Sequence, residues 1–191
     1  AALNQVFIHN PAAYDPDGDS ISYKLTVCTE ENGKPIVDYT LPLASDSLYI
    51  DELTGDLIWN TPVDTGIYNI AIEIEEWRRG VKIGSIARDM QIDVYSTDNR
   101  PPENMPLRDF CVQAGDRIQY DIISTDPDDD MITQFATGGP MEFELSPATF
   151  ENLTSGPGFS VSRFDWITDC DHIRHQPYNV IIKAEDNNPG L

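Results

Sequence analysis

The chain has 191 residues, 40% of them apolar, enough for one or two domains with cores of their own and too many for wholesale disorder. Asp and Glu number 33 against 12 Lys and Arg, a formal charge of −21. That charge argues against nucleic acid and anionic membrane surfaces as partners, and no apolar run is long enough to span a bilayer.

Taken in order, the predicted elements are nearly all strands. Ile21, Tyr23, Leu25 and Val27 alternate with polar residues, as do Tyr68, Ile70, Ile72 and Ile74, and then Met90, Ile92 and Val94. Further on come Ile118, Tyr120 and Ile122, then Met141, Phe143 and Leu145, then Tyr178, Val180, Ile182 and Ala184. A period of two puts the apolar side chains on one face, as a half-buried antiparallel strand requires. Short strands separated by Gly, Pro, Asn and Asp predict an all-β protein built of antiparallel sandwiches.

The chain also repeats itself. GIYNIAIEIEE starts at residue 66 and QPYNVIIKAED at 176, an offset of 110. LIWNTP at 57–62 is similar to FDWITD at 164–169, and DPDGD at 15–19 to DPDDD at 126–130. Two tandem domains are therefore expected, at 1–96 and 103–191, with the proline-bearing stretch 97–102 as a short stiff linker. Almost nothing precedes Val6 in the first copy, and the second has no counterpart of KIGSIARDMQIDV. A first strand and a last strand are thus expected to be missing, and the chain reads as a piece of something longer.

The acidic loops carry the chemistry. Asp15, Asp17 and Asp19 lie at alternate positions of one turn, and Asp126, Asp128 and Asp130 do the same in the other. Three carboxylates so close together favour a counter-ion. Oxygen ligands in a flexible loop suit Ca²⁺, which takes about six to eight of them, whereas a transition metal prefers the His or Cys these loops lack. An EF-hand is excluded, because Thr26 falls where that loop needs a bidentate glutamate. The plainer alternative is that each turn caps its own backbone with Asp side chains, which needs one Asp and not three.

AYDPDGDSISY at 13–23, TGDL at 54–57 followed by VDTGIYNIAIEIEE, TDNRPP at 97–102 and KAEDNNPG at 183–190 resemble, in that order, the motifs of cadherin-type domains. The wording is closer still to the cadherin-like, immunoglobulin-like repeats of large secreted surface proteins of Bacteroidetes, which often end in a gliding-motility-associated sorting domain. IHNPAAYDPDGDSISY, IEEWRRGVKIGSIARDMQI and CDHIRHQPYNVIIKAED carry that likeness. The resemblance implies export to the cell surface. It also implies Ca²⁺ held near a domain junction by Asp126, Asp128, Asp98, Asn99 and Asp186, with Glu75 or Glu76 and Asp64 from the first copy; Asp130 is a further candidate ligand from its place in the acidic loop. Asp15 and Asp17 with Glu76 would form the equivalent half-site, Asp19 being a further candidate ligand in that loop. The family's acidic triplet is broken at Gly66, which implies one or two ions and not three. The partners implied are neighbouring repeats, other surface proteins or glycans.

Three cysteines do not pair evenly. In an exported protein a Cys111–Cys170 disulfide is expected, leaving Cys28 as a buried thiol. Cys170, His172 and His175 are alternative zinc ligands, but their spacing is loose and a fourth ligand is unclear. Trp77, Arg78 and Arg79 near a hairpin tip are candidate ligand contacts, the alternative being that Trp77 folds back on its sheet while the arginines neutralise neighbouring acids. Trp59 and Trp166, at matching places in the two copies, are expected in the cores. No Ser, His or Cys constellation accompanies the carboxylates and no phosphate loop appears, so catalysis is not expected. Two readings follow: a calcium-stiffened structural or adhesive repeat and, as the alternative, a carbohydrate-binding accessory module, which would use an exposed aromatic platform such as Trp77 and Tyr39.

Overall fold

A computed structural model describes residues 1–188. The chain divides into two compact units, Ala1–Thr97 and Asp98 onward. Both are all-β, and among the described residues no helix is long and apolar enough to cross a membrane.

The first unit has six strands: β1 (Phe7–His9), β2 (Ser20–Thr26), β3 (Leu48–Ile50), β4 (Leu57–Trp59), β5 (Gly66–Arg78) and β6 (Val81–Val94). They form two antiparallel sheets, ordered β1-β4-β3 and β2-β5-β6. Between the sheets lie Tyr23, Leu57, Trp59, Ile70, Ile72, Ile74, Ile92 and Val94, the inward residues of the alternating runs. Trp59 is fully buried, and its indole N–H donates to Leu43 O at 3.0 Å, so the ring adds area without leaving a polar atom unpaired. The β5–β6 hairpin turns through Arg79 (φ 53°) and Gly80 (φ 77°). Two central residues at positive φ match the right-handed twist of the strands they join. Ahead of β1, Ala2 bridges Tyr95 in parallel, with Tyr95 N donating to Ala1 O at 3.2 Å and Leu3 N to Tyr95 O at 2.9 Å.

The second unit has β7 (Glu103–Asn104), β8 (Arg117–Thr125), β9 (Ile132–Gly138), β10 (Thr149–Gly156), β11 (Phe159–Ile167) and β12 (Val180–Asp186). Its sheets run β10-β11-β8-β7 and β12-β9. The orders β1-β4-β3 and β2-β5 of the first unit recur here as β8-β11-β10 and β9-β12. Trp166 takes the place of Trp59, and its indole N–H donates to Ser146 O at 3.0 Å. Phe143, Trp166, His172 and Tyr178 pack ring on ring around it.

One expected strand is absent. Residues 141–145 do not pair; Met141 ends a 3-10 turn, Gly139–Met141, and 142–145 follow it outside any strand. Pro140 is the middle residue of that turn, and its carbonyl accepts Ala148 N at 2.8 Å, closing a loop instead of extending a ladder. Phe143 is drawn onto the His172 ring, 4.4 Å between centroids, and Leu145 is left exposed.

Candidate cation sites at the acidic loops

In the first unit the loop ahead of β2 folds on itself. Asp15 Oδ1 accepts Asp19 N at 2.8 Å, and Gly18 turns the chain at φ 80°. The β2–β5 register sets Ser20 against Trp77 and Ile21 against Glu76. This brings Asp19 beside Arg78 and carries Glu76 to the same place. Asp15, Asp19 and Glu76 each offer an oxygen within 4.8 Å of the others, the one such acidic group among the described residues. Arg78 Nε donates to both oxygens of Asp19, at 2.9 and 3.0 Å. That pairing holds the Asp19 carboxyl below its ordinary range. Glu76 moves the other way: burial raises it, aided by a hydrogen bond to Asp19 and the charges of Asp15 and Asp19. Three carboxylates against one guanidinium, −3 + 1, leave a formal −2. The set is all oxygen and half-buried, which fits a hard divalent cation.

Two residues named from the sequence lie elsewhere. Glu75 is directed to the opposite face of β5, where Lys24 (2.6 Å) and Lys82 (2.7 Å) hold it in a network with Glu73. Strand alternation allows only one of two consecutive glutamates to join the loop. Asp17 is 74% exposed, its nearest cation being Arg78 at 3.6 Å. Asp64 is also exposed, and its carbonyl accepts the Tyr68 hydroxyl at 3.1 Å.

The second unit arranges the matching residues differently. Asp126 Oδ1 accepts both Asp128 N (2.8 Å) and Asp130 N (3.0 Å). Asp126 is only 6% exposed, and its Oδ2 has no hydrogen-bond partner among the described residues. A buried carboxylate oxygen left so is the atom a cation would take. The remaining acids have donors. Asp128 accepts Arg100 N (2.8 Å) and Nε (3.0 Å), and the guanidinium lowers its carboxyl. Asp186 accepts Asn99 Nδ2 at 3.0 Å and Asn188 N at 3.0 Å, and Asp130 accepts Asn188 Nδ2 at 3.2 Å. Asp98 is exposed. Asn99 and Arg100 are thereby tied to the acidic loop of their own unit. The partners of Arg78 and Arg100 were not named from the sequence: Arg100 was given no role, and Arg78 was expected, as one alternative, only to neutralise neighbouring acids. They depend on pairings across 59 and 28 residues, which no local pattern announces.

The disulfide is not formed. Cys111 and Cys170 are both free and exposed, while Cys28 is free and buried. Thr168 bonds to Gln113 O and Asp116 O, and the chain turns into a 3-10 helix at Cys170, so Cys111 is not set opposite it. The zinc alternative also fails. His172 is buried with both ring nitrogens engaged, Nδ1 accepting Asp169 N at 2.9 Å and Nε2 meeting Leu145 O at 3.3 Å. Of the hairpin-tip contacts, Trp77 is turned back, its N–H donating to Ser22 Oγ at 2.8 Å, and Arg78 belongs to Asp19. Arg79 forms the exposed turn. Tyr39, the other platform candidate, donates its hydroxyl to Asn69 O at 2.8 Å.

No family model and no curated protein matches the chain. Among solved structures, domains 4 and 5 of the S-layer protein SbsC are similar at 13% identity, over 96% of this chain and 94% of that one, with a TM-score of 0.26. At that score nothing further rests on the likeness, and the cadherin-like resemblance stays an expectation.

Proposed function

We propose that the chain is a non-catalytic structural and adhesive repeat of an extracellular surface protein, of the cadherin-like class, whose acidic loops bind Ca²⁺. The observation that carries this reading is the convergence of Asp15, Asp19 and Glu76 on one point; the unpartnered Oδ2 of Asp126 supports it in the second unit. Asp15, Asp19 and Glu76 would hold one ion. Asp126, through its unpartnered Oδ2, would take another. Bound Ca²⁺ supplies a concentrated positive charge that offsets carboxylate repulsion. The chain's residues do the rest. Arg78 fixes Asp19, and Arg100 and Asn99 fasten the start of the second unit to its own loop. A cation there stiffens the stretch leading into that unit, which suits a repeat working in series with neighbouring repeats or other surface proteins.

The test is a thermal melt of the whole chain in Ca²⁺ and then in excess chelator. Ligand at a hundredfold over its Kd adds about 2.7 kcal/mol, and about 4–8 °C per kcal/mol is usual for domains of this size. A rise of about 10 °C or more, diminished by Asp126→Ala and by Glu76→Gln, is expected. An unchanged melt would leave the loops as self-capped turns and refute the proposal.

A further inference from the structure

We propose that the second unit binds an ordered internal water molecule between its two sheets, held by Gln134 Oε1 and Ser162 Oγ. The inference is independent of calcium.

The two units fill equivalent space differently. Tyr23 pairs with Ile74 and Gln134 pairs with Ala184, the offset of 110 (184 against 74) that relates β5 to β12. Tyr23 is a buried ring packed against Gly55, so closely that a Cβ there would lie 2.8 Å from Cζ. In the second unit a smaller polar amide takes that place, and the strands facing it turn polar with it. On β8 the inward face runs Ile118, Ile122, Ser124; on β11 it runs Ser160, Ser162, Phe164, Trp166. One end of this core is aromatic and the other is hydroxyl-lined.

Most of these polar atoms are paired. Gln134 Nε2 donates to Ser124 Oγ (2.6 Å) and Ile122 O (3.3 Å), Ser124 Oγ donates to Asn104 Oδ1 (2.6 Å), and Asn152 Nδ2 donates to Ser160 Oγ (3.0 Å). Gln134 Oε1 and Ser162 Oγ have no partner among the described residues, although Gln134 is 9% and Ser162 1% exposed. Ser162 is the register partner of Ile122, the residue whose carbonyl the Gln134 amide meets. Buried polar groups in folded proteins are satisfied by protein or by ordered water. The chemistry selects water: an amide oxygen can only accept, and water brings a donor for Oε1. Its own oxygen accepts the hydroxyl proton of Ser162.

The experiment is a nitrogen-15-resolved rotating-frame Overhauser measurement between water and the Gln134 side-chain amide in the full chain. A cross-peak from a water held longer than the molecule's tumbling time is expected, and it should weaken several-fold in Ser162→Ala. Trp166 Nε1 serves as the check that the unit remains folded. No cross-peak would overturn the proposal. So would a cross-peak of unchanged strength in Ser162→Ala, which would assign it to exchange through the Ser124 hydroxyl. Should Ser162→Ala not fold, oxygen-17 relaxation of water on the unaltered chain and on Gln134→Leu decides. One fewer long-lived water in Gln134→Leu supports the site; equal numbers refute it.

Discussion

Gly55→Ala tests the packing of the first unit most directly. Gly55 adopts φ 81°, and an added Cβ would approach Tyr23 Cζ, Cε1 and Cε2 to 2.8, 2.9 and 3.0 Å. Two costs add. A side chain in the left-handed region costs about 1–2 kcal/mol. Forcing a methyl group into a packed core costs about 1–3 kcal/mol more, because Tyr23 is a ring at 3% exposure and not a flexible chain end. The sum is about 2–5 kcal/mol, which a unit of this size reads as at least about 8 °C in melting temperature. Gly33→Ala is the control: φ is 78° there and no atom lies within 4 Å of the added Cβ, so only the backbone cost applies. Thermal unfolding by circular dichroism on both variants should therefore separate them by about 1–3 kcal/mol. Repeating Gly55→Ala in a Tyr23→Leu background should recover most of the difference, a coupling that distant sites do not show. Equal melting of Gly55→Ala and Gly33→Ala would refute the argument, as would a Gly55→Ala penalty indifferent to Tyr23.

Other outcomes follow from the charges and thiols. Glu76 has a raised carboxyl, so without calcium the native first unit holds that proton more tightly than the unfolded chain does. Stability from this group is present at low pH and is lost as pH rises through the raised value; the calcium-dependent rise in melting temperature should grow over the same interval, and that growth with pH should be lost in Glu76→Gln. Asp165 behaves oppositely. Arg117 and Gln119 lower it to about 2, so its contribution is present above about 3.8 and is lost as pH falls from there toward 2; Asp165→Asn should flatten the acid limb of the second unit's pH–stability curve. Arg78→Gln should raise Glu76 further, measurable by carbon-13 NMR titration of its carboxyl, with no change at Asp165. A colorimetric thiol reagent should titrate two cysteines per native chain and a third after denaturation, since Cys111 and Cys170 are exposed and Cys28 is buried.

The strands were legible in the sequence because alternation is a local signal. Ile70, Ile72 and Ile74 mark an inward face that two sheets then cover, and the matched tryptophans pointed to both cores. Runs that only look alternating were not distinguishable from pattern alone. Met141, Phe143 and Leu145 follow Pro140, and the carbonyl of that proline closes a loop. The acidic site was half legible. The DPDGD loop gave Asp15 and Asp19, and the inward face of β5 could have chosen Glu76 over Glu75. The arginine against Asp19 depends on how β2 registers on β5, more than fifty residues later, and registers between distant strands leave no local trace. The cysteines misled for the same reason, since proximity of Cys111 and Cys170 was inferred from order along the repeat, while the hydrogen bonds of Thr168 set the actual alignment.

The parallel bridge between Ala2 and Tyr95 bears on how the first unit answers to force. Residues 1–3 and Tyr95 run in the same direction, so a pull applied to opposite ends of the unit slides the two segments along each other. Tyr95 N to Ala1 O and Leu3 N to Tyr95 O are then strained together in shear, where an antiparallel contact would unzip one bond at a time. A unit closed in this way should yield abruptly at a threshold load, and the first event on a single-molecule extension trace of this unit should be the parting of those few residues.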